Sequence, residues 1–364
     1  MRVPVVLNAY LGRQFLFWFL SSLLALVAVI MLVELIELFR RTSSHEQATV
    51  ATVVGMALLK LPHLAEKAAP FAVLFGAMLA FWKLNRNLEL IVVRAAGVSV
   101  WQFLLPVVTC AFAVGVIKVA LFNPFAAAML LRYEHLEAQF IKGKSSLAAV
   151  SGEGIWLRQA TERGHYVLHA QRVNTPDMVL SGVIVFLMQD RDTFVGRIDA
   201  KQARLADGYW AMETATVTGP GGPPRVLKGY KLDTDLTREN INDSFAPPET
   251  LSFWALPKFI AVLEAAGFSG LRHRLSWHTQ LADPALLCAM VVLAATFSLR
   301  HVRRGGTGMM VAGGIAAGFL LFFLSDVVSA FGASAKIPIV LAAWSPTLVS
   351  ALIGTAVLFH FEDG

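Results

Sequence analysis

Charged side chains are scarce in this sequence: they make up 15% of its 364 residues, whereas hydrophobic side chains make up 56%. That proportion is too apolar for a soluble protein of this length. The net charge of +6 is small and the basic residues are scattered, which argues against a nucleic-acid-binding protein. A mean hydropathy of +0.61 therefore indicates a membrane protein.

Cysteines and catalytic motifs are also few. Cys110 and Cys288 both lie in apolar runs and outside any CxxC pair, so a disulfide framework or a zinc site is not expected and both are interpreted as inert core thiols. HExxH, GxSxG and GxGxxG are absent, and the nine histidines show no metal-ligand spacing. Gly143-Lys144-Ser145 is not a P-loop, because Ala138 replaces the required glycine. We expect no catalytic residue, metal or cofactor in this chain, so energy for any work must come from a partner or a gradient.

Long apolar segments are the dominant feature of the chain. About 20 apolar residues are enough for a helix to cross the hydrocarbon layer. Six segments reach this length: about Gln14–Phe39, Pro62–Trp82, Ser99–Phe122, Trp277–Leu299, Gly308–Phe331 and Ile339–Phe359. The pattern predicts a polytopic α-helical membrane protein with three spans in residues 1–122, a more polar domain in residues 123–275 and three spans in residues 276–364.

The stretch before the second span is unusually long. Apolar character begins near Thr49 and continues to Trp82, too far for one upright span, and Pro62 interrupts it. We therefore predict that Ala48–Leu61 forms a separate interfacial or periplasmic helix leading into the span.

Basic residues in the short loops predict the orientation of the spans. If the N-terminus is cytoplasmic, the outer loops carry Arg40, Arg41 and Lys336. The inner side then carries eight basic residues: Arg2, Arg13, Lys83, Arg86, Arg94, Arg300, Arg303 and Arg304. This bias predicts that both termini are cytoplasmic and that the central domain lies outside, which in a bacterium is the periplasm.

The central domain has the pattern of short strands. Asp207-Gly208 joins two β-compatible runs, Arg197–Ala206 and Tyr209–Val217, as in a type I′ hairpin. Four further strands are predicted, at Gly154–Arg158, His165–Val173, Leu180–Gln189 and Arg225–Leu232. Six or so short strands indicate a sandwich, a jelly roll or an open barrel. An amphipathic helix with apolar residues from Leu256 to Leu263, and Gly267 as its C-cap, then returns the chain to the fourth span.

Polar residues inside the apolar segments are candidates for function, because they are costly there unless they face a partner, a cavity or the interface. They gather near the predicted outer ends of spans one to three: Glu34, Glu37, Arg40, Arg41, Lys60, His63, Glu66, Lys67 and Lys118. Basic groups at that depth suit the phosphates of an outer-leaflet lipid. The candidates for phosphate binding are Arg40, Arg41, Lys60, His63, Lys67 and Arg132. Snorkelling side chains and neutralising Glu–Lys pairs are the alternative.

Two other polar features have structural and functional interpretations. Asp326 is the lone acid of span five, and we expect it to have a helix-packing or partner-facing role rather than one in ion coupling. Asn85–Gly97, between spans two and three, combines charges with an apolar stripe and is predicted to be a short surface helix. That helix would either anchor the loop or dock a cytoplasmic partner.

Several short sequence motifs occur in a fixed order along the chain. They are Tyr10-Leu11-x-Arg13, Pro62 and Pro70 with the small-residue run Phe75–Leu79, ELIVVRAAG at Glu89–Gly97, and Leu251-Ser252 followed by Gly267, Arg274, Pro284 and Met290. Their order, across nearly the whole chain, resembles that of the lipopolysaccharide-export permeases of the LptF/LptG family. Lys336-Ile337-Pro338 through Trp344-x-Pro346 is similar to the LptG branch. Glu34 departs from that branch, which carries a basic residue there for the sugar-phosphate substrate, whereas Arg40, Arg41 and His63 fall on basic positions.

The resemblance implies a transport subunit rather than an enzyme. It implies that this chain pairs with a paralogue of the LptF type and extracts lipopolysaccharide from the outer leaflet of the inner membrane through a lateral gate. ATP would be bound and hydrolysed by two copies of a cytoplasmic ATPase, LptB. The periplasmic domain, a jelly roll in this family, would pass the lipid to LptC and LptA, which have similar folds.

The same resemblance gives the surface helix a role. Glu89 matches the glutamate of the family's coupling helix, and Arg86 and Arg94 flank it, so these residues are expected to couple the permease to the ATPase. Two other classes remain open: a mechanotransmission protein, which usually has four spans, and a membrane-anchored assembly or sensor protein. The number of spans tests the first, and lipopolysaccharide at the cell surface after depletion tests the second.

Overall fold

The fold is known from a computed structural model. It describes residues 5–42, 49–142, 148–151, 154–161, 164–174, 178–189, 193–219, 222–234, 246–265, 269–298 and 307–362. Several residues used in the sequence analysis lie outside these ranges: Arg2, Ala48, Gly143–Ser145, Gly267, Arg300, Arg303 and Arg304. The chain forms two compact units. The helical unit comprises Met1–Tyr133, Ser252–Trp254 and Leu275–Gly364, and the β unit comprises Glu134–Leu251 and Ala255–Arg274.

The α-helices, in chain order, are α1 (Val5–Thr42), α2 (Val50–Arg86), α3 (Glu89–Ala95), α4 (Val100–Ile117), α5 (Asn123–Glu137), α6 (Leu256–Ala265), α7 (Leu271–Ser298), α8 (Thr307–Ala333) and α9 (Ile339–Glu362). Within the described part of the chain, six helical segments are long and apolar enough to cross a membrane. They correspond in order to the six predicted spans, three before the β unit and three after it. The predicted fold class is therefore confirmed.

Close packing between α1, α2, α4 and α7 forms the core of the helical unit. Leu11, Phe15 and Phe19 of α1 are buried against Phe81 of α2 and its neighbours. Gly76 lets the backbones of α2 and α1 touch, because a Cβ atom there would lie 2.6 Å from the Cα atom of Phe19. The first half of α1 is thus fixed by packing.

The break expected at Pro62, between the helix predicted at Ala48–Leu61 and the second span, is absent. The described part of that segment belongs to α2, which runs without a break from Val50 to Arg86 and contains Pro62 and Pro70. A proline inside a helix removes a single backbone hydrogen bond. Contacts on both sides of Pro62 hold the helix together, since Lys60 before it is paired with Glu34 of α1, and residues of the following turns are buried.

Span three continues beyond its predicted end. A π-helical turn, Lys118–Phe122, joins α4 to α5, and a second π-helical turn, Ala138–Lys142, follows α5. Pro124 has no N–H to donate to the carbonyl of Ala120, four residues earlier. Trp254 compensates, because its Nε1 atom donates to that carbonyl at 3.1 Å.

The β unit contains one antiparallel sheet of seven described strands, each paired with the next in sequence. They are β1 (Ala148–Ser151), β2 (Gly154–Thr161), β3 (Gly164–Asn174), β4 (Val179–Gln189), β5 (Thr193–Ala206), β6 (Tyr209–Thr218) and β7 (Arg225–Asp233). All six predicted strands are present, and β1 is additional. The predicted hairpin is present, since Ala206 pairs with Tyr209, but the predicted turn type is wrong: type I′ needs a positive φ at both central residues, and here Gly208 has φ +83° whereas the φ of Asp207 is not positive.

The sheet curls, so that its early and late strands meet. Tyr166 Oη of β3 and Thr234 Oγ1, just after β7, each donate to Oε1 of Gln159 on β2 at 2.5 Å. All three side chains are buried. The inner face holds a hydrophobic core that includes Trp210, and Leu263 of the amphipathic helix α6 packs into the same core.

Candidate functional site

Hydrogen bonds between helix ends define the two sides of the helical unit. The beginning of α1 contacts α3 through Tyr10 and Glu89, and Asn85 near the end of α2 donates to the carbonyl of Ser298 at the end of α7. We call this the N-terminal side. The end of α1 and the beginning of α2 lie on the other side, here called the opposite side, which carries the predicted lipid-binding residues.

Two of those residues form a small network at the end of α1. Glu37 accepts hydrogen bonds from Nε and Nη2 of Arg40, both at 2.9 Å, and from Nε of Arg41 at 2.8 Å. The side chain of Arg40 is 76% exposed and that of Arg41 is 49% exposed. Each arginine has five N–H donors, so an exposed arginine can bind an anion while it contacts Glu37.

Lys60 has a more enclosed position between three helices. Its Nζ atom lies 2.6 Å from Oε1 of Glu34 on α1 and 5.1 Å from the centre of the Tyr133 ring on α5. An ion pair and an aromatic ring both stabilise an ammonium group away from water. The neutralising Glu–Lys pair considered in the sequence analysis is therefore present at this position.

The other three candidates lie on α2 and α5, the helices that carry Lys60 and Tyr133. His63 is half-buried on α2, one turn after Lys60, and Lys67 follows one turn later with an exposed side chain. Arg132 is exposed on α5, next to Tyr133. Within the described residues, neither Lys67 nor Arg132 forms an ion pair. These two bases are therefore accessible to an external anion.

A second ion pair lies deeper, and its acidic member escaped the sequence analysis. Lys118 Nζ, at the start of the π-helical turn, lies 2.6 Å from Oδ2 of Asp283 on α7, and both side chains are only 13% exposed. Beside them, Gly115 packs on Pro284, whose Cα atom would lie 2.5 Å from an added Cβ. The signal for this pair was one base in span three and one acid in span four, since charges of opposite sign in different spans can pair.

Glu66 belongs to a separate network of hydrogen-bonded polar groups in the helical unit. Its Oε2 atom accepts from Nδ2 of Asn123 at 3.4 Å, and Oδ1 of Asn123 accepts from the backbone N–H of Phe253 at 2.8 Å. The other carboxylate oxygen of Glu66, Oε1, is buried and has no hydrogen-bond partner among the described residues. The network ties α2 and α5 to Ser252–Trp254, three residues of the helical unit that lie in sequence between the two segments of the β unit.

The N-terminal side carries the predicted coupling residues. The predicted short helix is present as α3, which begins at Glu89 after Leu88, a residue in the left-handed region with φ +60°, whereas Asn85 and Arg86 belong to the end of α2. Arg86 lies over the ring of Trp82, with 5.3 Å from its Cζ atom to the ring centre. Arg94 and the apolar residues Leu88 and Val92 are exposed. This helix thus presents charges and an apolar stripe to any partner on that side.

Two spans are poorly covered by the rest of the chain. In the most apolar stretch of α1 only 11% of the residues are buried, and in α8 only 17%. Asp326 is exposed on α8 together with Phe319, Phe322 and Phe323. A carboxylate exposed on an apolar span is costly in lipid, so its position fits a face that meets a partner or a water-filled cavity.

Known proteins resemble this chain over most of its length. The family described as lipopolysaccharide export system permease LptF/LptG matches residues 9–360. The lipopolysaccharide export system permease protein LptG of Escherichia coli K12 is 23% identical over 308 residues, which are 83% of this chain and 81% of that protein. The LptG protein of Haemophilus influenzae Rd is 22% identical over 361 residues, covering 94% of this chain and 95% of that protein.

Proposed function

Because this chain belongs to the lipopolysaccharide export permease family LptF/LptG, we propose that it extracts lipopolysaccharide from the outer leaflet of the inner membrane and passes it to a periplasmic bridge. The chain is a multi-pass inner-membrane transport subunit of this export system. The family match carries the proposal, since it runs through both helical halves and the β unit in one order. Six candidate spans also argue against a four-span mechanotransmission protein.

The poorly covered faces of α1 and α8 support pairing with a second permease. We propose that the partner is a paralogue of the LptF type, and that α1 and α8 face it across the lipid path. Exposed Asp326 fits this arrangement, because a polar or basic group of the partner would satisfy its carboxylate.

The orientation inferred from the basic loops makes the N-terminal side cytoplasmic and the opposite side periplasmic. On this basis Glu89, Arg86 and Arg94 of the coupling region meet an ATPase dimer of the LptB type, which binds and hydrolyses the ATP. The β unit lies in the periplasm and delivers lipid to LptC and LptA. Exposed Leu88 and Val92 support docking of a protein on α3, because such residues gain stability when covered.

Cysteine labelling in intact cells tests the orientation. A cysteine at Asp207, in the exposed hairpin turn of the β unit, should react with a membrane-impermeant reagent added from outside. A cysteine at Ala96, exposed at the end of α3, should react only after the inner membrane is opened. Labelling of Ala96→Cys in intact cells would overturn the orientation, and the chain without either substitution gives the background from Cys110 and Cys288.

On the opposite side, we propose that Arg40, Arg41, Lys60, His63, Lys67 and Arg132 form the binding region for the anionic head of the lipid. These six residues differ in their exposure and in their ion-pair partners. Lys67 and Arg132 are exposed and make no ion pair within the described residues, so they are the best placed to meet phosphate. Arg40 and Arg41 contact Glu37 at the end of α1, whereas Lys60 is engaged by Glu34.

Reconstitution tests the transport function itself. The chain, its paralogue and the ATPase are placed in liposomes with lipopolysaccharide, and release to the soluble bridge protein is measured with and without ATP. We expect ATP-dependent release that disappears when this chain is omitted. In cells, depletion should remove newly made lipopolysaccharide from the surface. Normal surface lipopolysaccharide after full depletion would instead indicate an assembly or sensor protein.

A further inference from the structure

The carboxylate of Glu89 accepts hydrogen bonds from two side chains of its own chain. Tyr10 Oη of α1 donates to Oε2 of Glu89 at 2.9 Å, and Nδ2 of Asn87 donates to Oε1 at 3.0 Å. The two partners occupy both carboxylate oxygens. Tyr10 is 79 residues away from Glu89 in sequence, so this hydrogen bond is a tertiary contact that places the start of α3 against α1.

We infer that Tyr10 is a positioning residue, which transmits movement of α3 to α1 through its hydrogen bond to Glu89. The inference rests on the proposed function, in which α3 docks the ATPase. It adds a path by which movement of α3 at the cytoplasmic side is transmitted through α1 to the lipid-binding region. Among the described residues, this is the side-chain hydrogen bond that joins α3 to α1.

The backbone separates α3 from the helices on either side of it, while Leu90 seats α3 in the core of the helical unit. Leu88, just before it, has φ +60°, and Gly97, just after it, has φ +82°. Residues with positive φ interrupt a helix, and a leucine adopts that conformation only at a cost in free energy. A docked partner that displaces α3 therefore acts on it between two breaks rather than on one continuous helix.

The geometry of α1 converts a shift at Tyr10 into a larger shift at its far end. The backbone of α1 packs tightly against α2 at Phe19, where Gly76 permits a close approach. From Phe19, Tyr10 lies roughly 14 Å along the helix in one direction and Glu37 roughly 27 Å in the other. If α1 tilts about that contact, the displacement of Glu37 is roughly twice that of Tyr10.

The far half of α1 is held to α2 by the pair of Glu34 with Lys60 and by buried Leu38, so a tilt of α1 would carry the start of α2 with it. Between Ser22 and Leu38 no residue of α1 is buried, and Leu24, Leu32 and Ile36 are all strongly exposed. The moving end carries Glu34 with the network of Glu37. Lipid-binding groups would therefore change position when α3 moves.

Tyr10→Phe tests the link, because it removes only the hydroxyl group from a half-exposed side chain. The complete transporter is reconstituted, and ATP hydrolysis, ATPase co-purification and lipid release are measured together. We expect normal ATPase binding and hydrolysis, with lipid released per ATP reduced about fivefold or more. Tyr209→Phe is the matched control; it removes a hydroxyl with no hydrogen-bond partner among the described residues, and it should behave as wild type.

A distance measurement gives a second readout. Spin labels at Ile36 and at an exposed site of α4, such as Phe112, should report a change on ATP binding in the wild type and little change in Tyr10→Phe. An equal change in both proteins, or equal lipid release per ATP, would overturn the inference. A wild-type complex that neither binds the ATPase nor releases lipid would instead defeat the proposed function.

Glu89→Gln separates the two contacts assigned to Glu89. Glutamine keeps an oxygen that can accept from Tyr10 but loses the charge that a basic residue of the ATPase would meet. We expect this variant to weaken co-purification of the ATPase, in contrast to Tyr10→Phe. If Tyr10→Phe alone abolishes ATPase binding, Tyr10 belongs to the docking surface and does not transmit movement.

Discussion

Lys118 and Lys67 are both basic residues within apolar spans, yet their surroundings differ in kind. Lys118 is paired with Asp283 and is 13% exposed, whereas Lys67 is exposed and has no ion-pair partner among the described residues. A buried ammonium group without a carboxylate would be highly unfavourable, while an exposed one can exchange partners. The buried pair serves the architecture, and the exposed base can serve recognition.

The same contrast distinguishes the other candidate bases. Lys60 is closer to the first kind, since Glu34 and the ring of Tyr133 enclose it. Arg132 is of the second kind. Arg40 and Arg41 are intermediate, because they are exposed but contact Glu37. Paired and exposed bases lie alike near the predicted outer ends of the spans, so substitution of each base is the test of which ones contact the lipid.

Breaking the buried pair should have the largest effect. Lys118→Ala leaves Asp283 charged and uncompensated, and we expect it to lower the free energy of unfolding by about 3–5 kcal/mol. Lys67→Ala is the matched control and should change stability by less than about 0.5 kcal/mol. Unfolding of the purified chain in detergent measures both. Equal stability of the two variants would remove the distinction between the two kinds of base.

Removing the exposed bases should instead weaken lipid binding at constant stability. A charge-assisted contact to phosphate contributes about 1.5–3 kcal/mol, so Lys67→Gln and Arg132→Gln should each lower lipopolysaccharide affinity about tenfold. Crosslinking of the lipid to a nearby photoreactive side chain measures the change.

Lys336→Gln is the control for these two substitutions. Lys336 is exposed in the turn between α8 and α9, on the same predicted side of the membrane. Its replacement should leave crosslinking unchanged. If all three variants bind lipid equally well, the exposed bases of α2 and α5 are membrane anchors, and the phosphates bind elsewhere.

Glu37 allows the comparison to be sharpened in the opposite direction. It engages Arg40 and Arg41, and its removal should leave both guanidinium groups more available to phosphate. We expect Glu37→Gln to raise lipopolysaccharide affinity about two- to fivefold. A fall in affinity would show that Glu37 orients the arginines for the lipid rather than competing with it.

Asp326 should give the smallest effect. Because it is exposed and has no ion-pair partner in the described part of the chain, Asp326→Asn should leave the stability of the isolated chain unchanged. A polar contact between membrane helices contributes about 0.6 kcal/mol on average, so association with the paralogue should weaken about threefold. Association is measured by energy transfer between labelled subunits in lipid, and Lys336→Gln again serves as the control.

The general plan of the molecule could be predicted from the sequence because it follows from local patterns. Hydropathy identifies the six spans, and Asp207-Gly208 identifies the hairpin between β5 and β6. The continuity of α2 could not be predicted, because packing against α1 outweighs the break that Pro62 alone would favour. Tertiary contact overrides local propensity at that position.

The candidate site could be predicted in outline, but its pairing could not. Charges at span ends are visible in the sequence, whereas the choice of partner depends on how the helices pack. Lys60 of α2 pairs with Glu34 of α1, and the partner of Lys118 lies 165 residues away in sequence. Glu89 was expected to face the ATPase; nothing local indicates that Tyr10 binds it, since that contact needs the folded bundle.

The wide separation of Lys118 and Asp283 also has a consequence in time. A ribosome adds about 5–20 residues per second, so Asp283 emerges roughly 10–30 s after Lys118. Throughout that interval the first three spans exist without the carboxylate that neutralises Lys118. The ion pair can therefore form only after the intervening residues and the start of α7 have been made. Assembly of the membrane core is thus ordered by synthesis, and its second half completes the first.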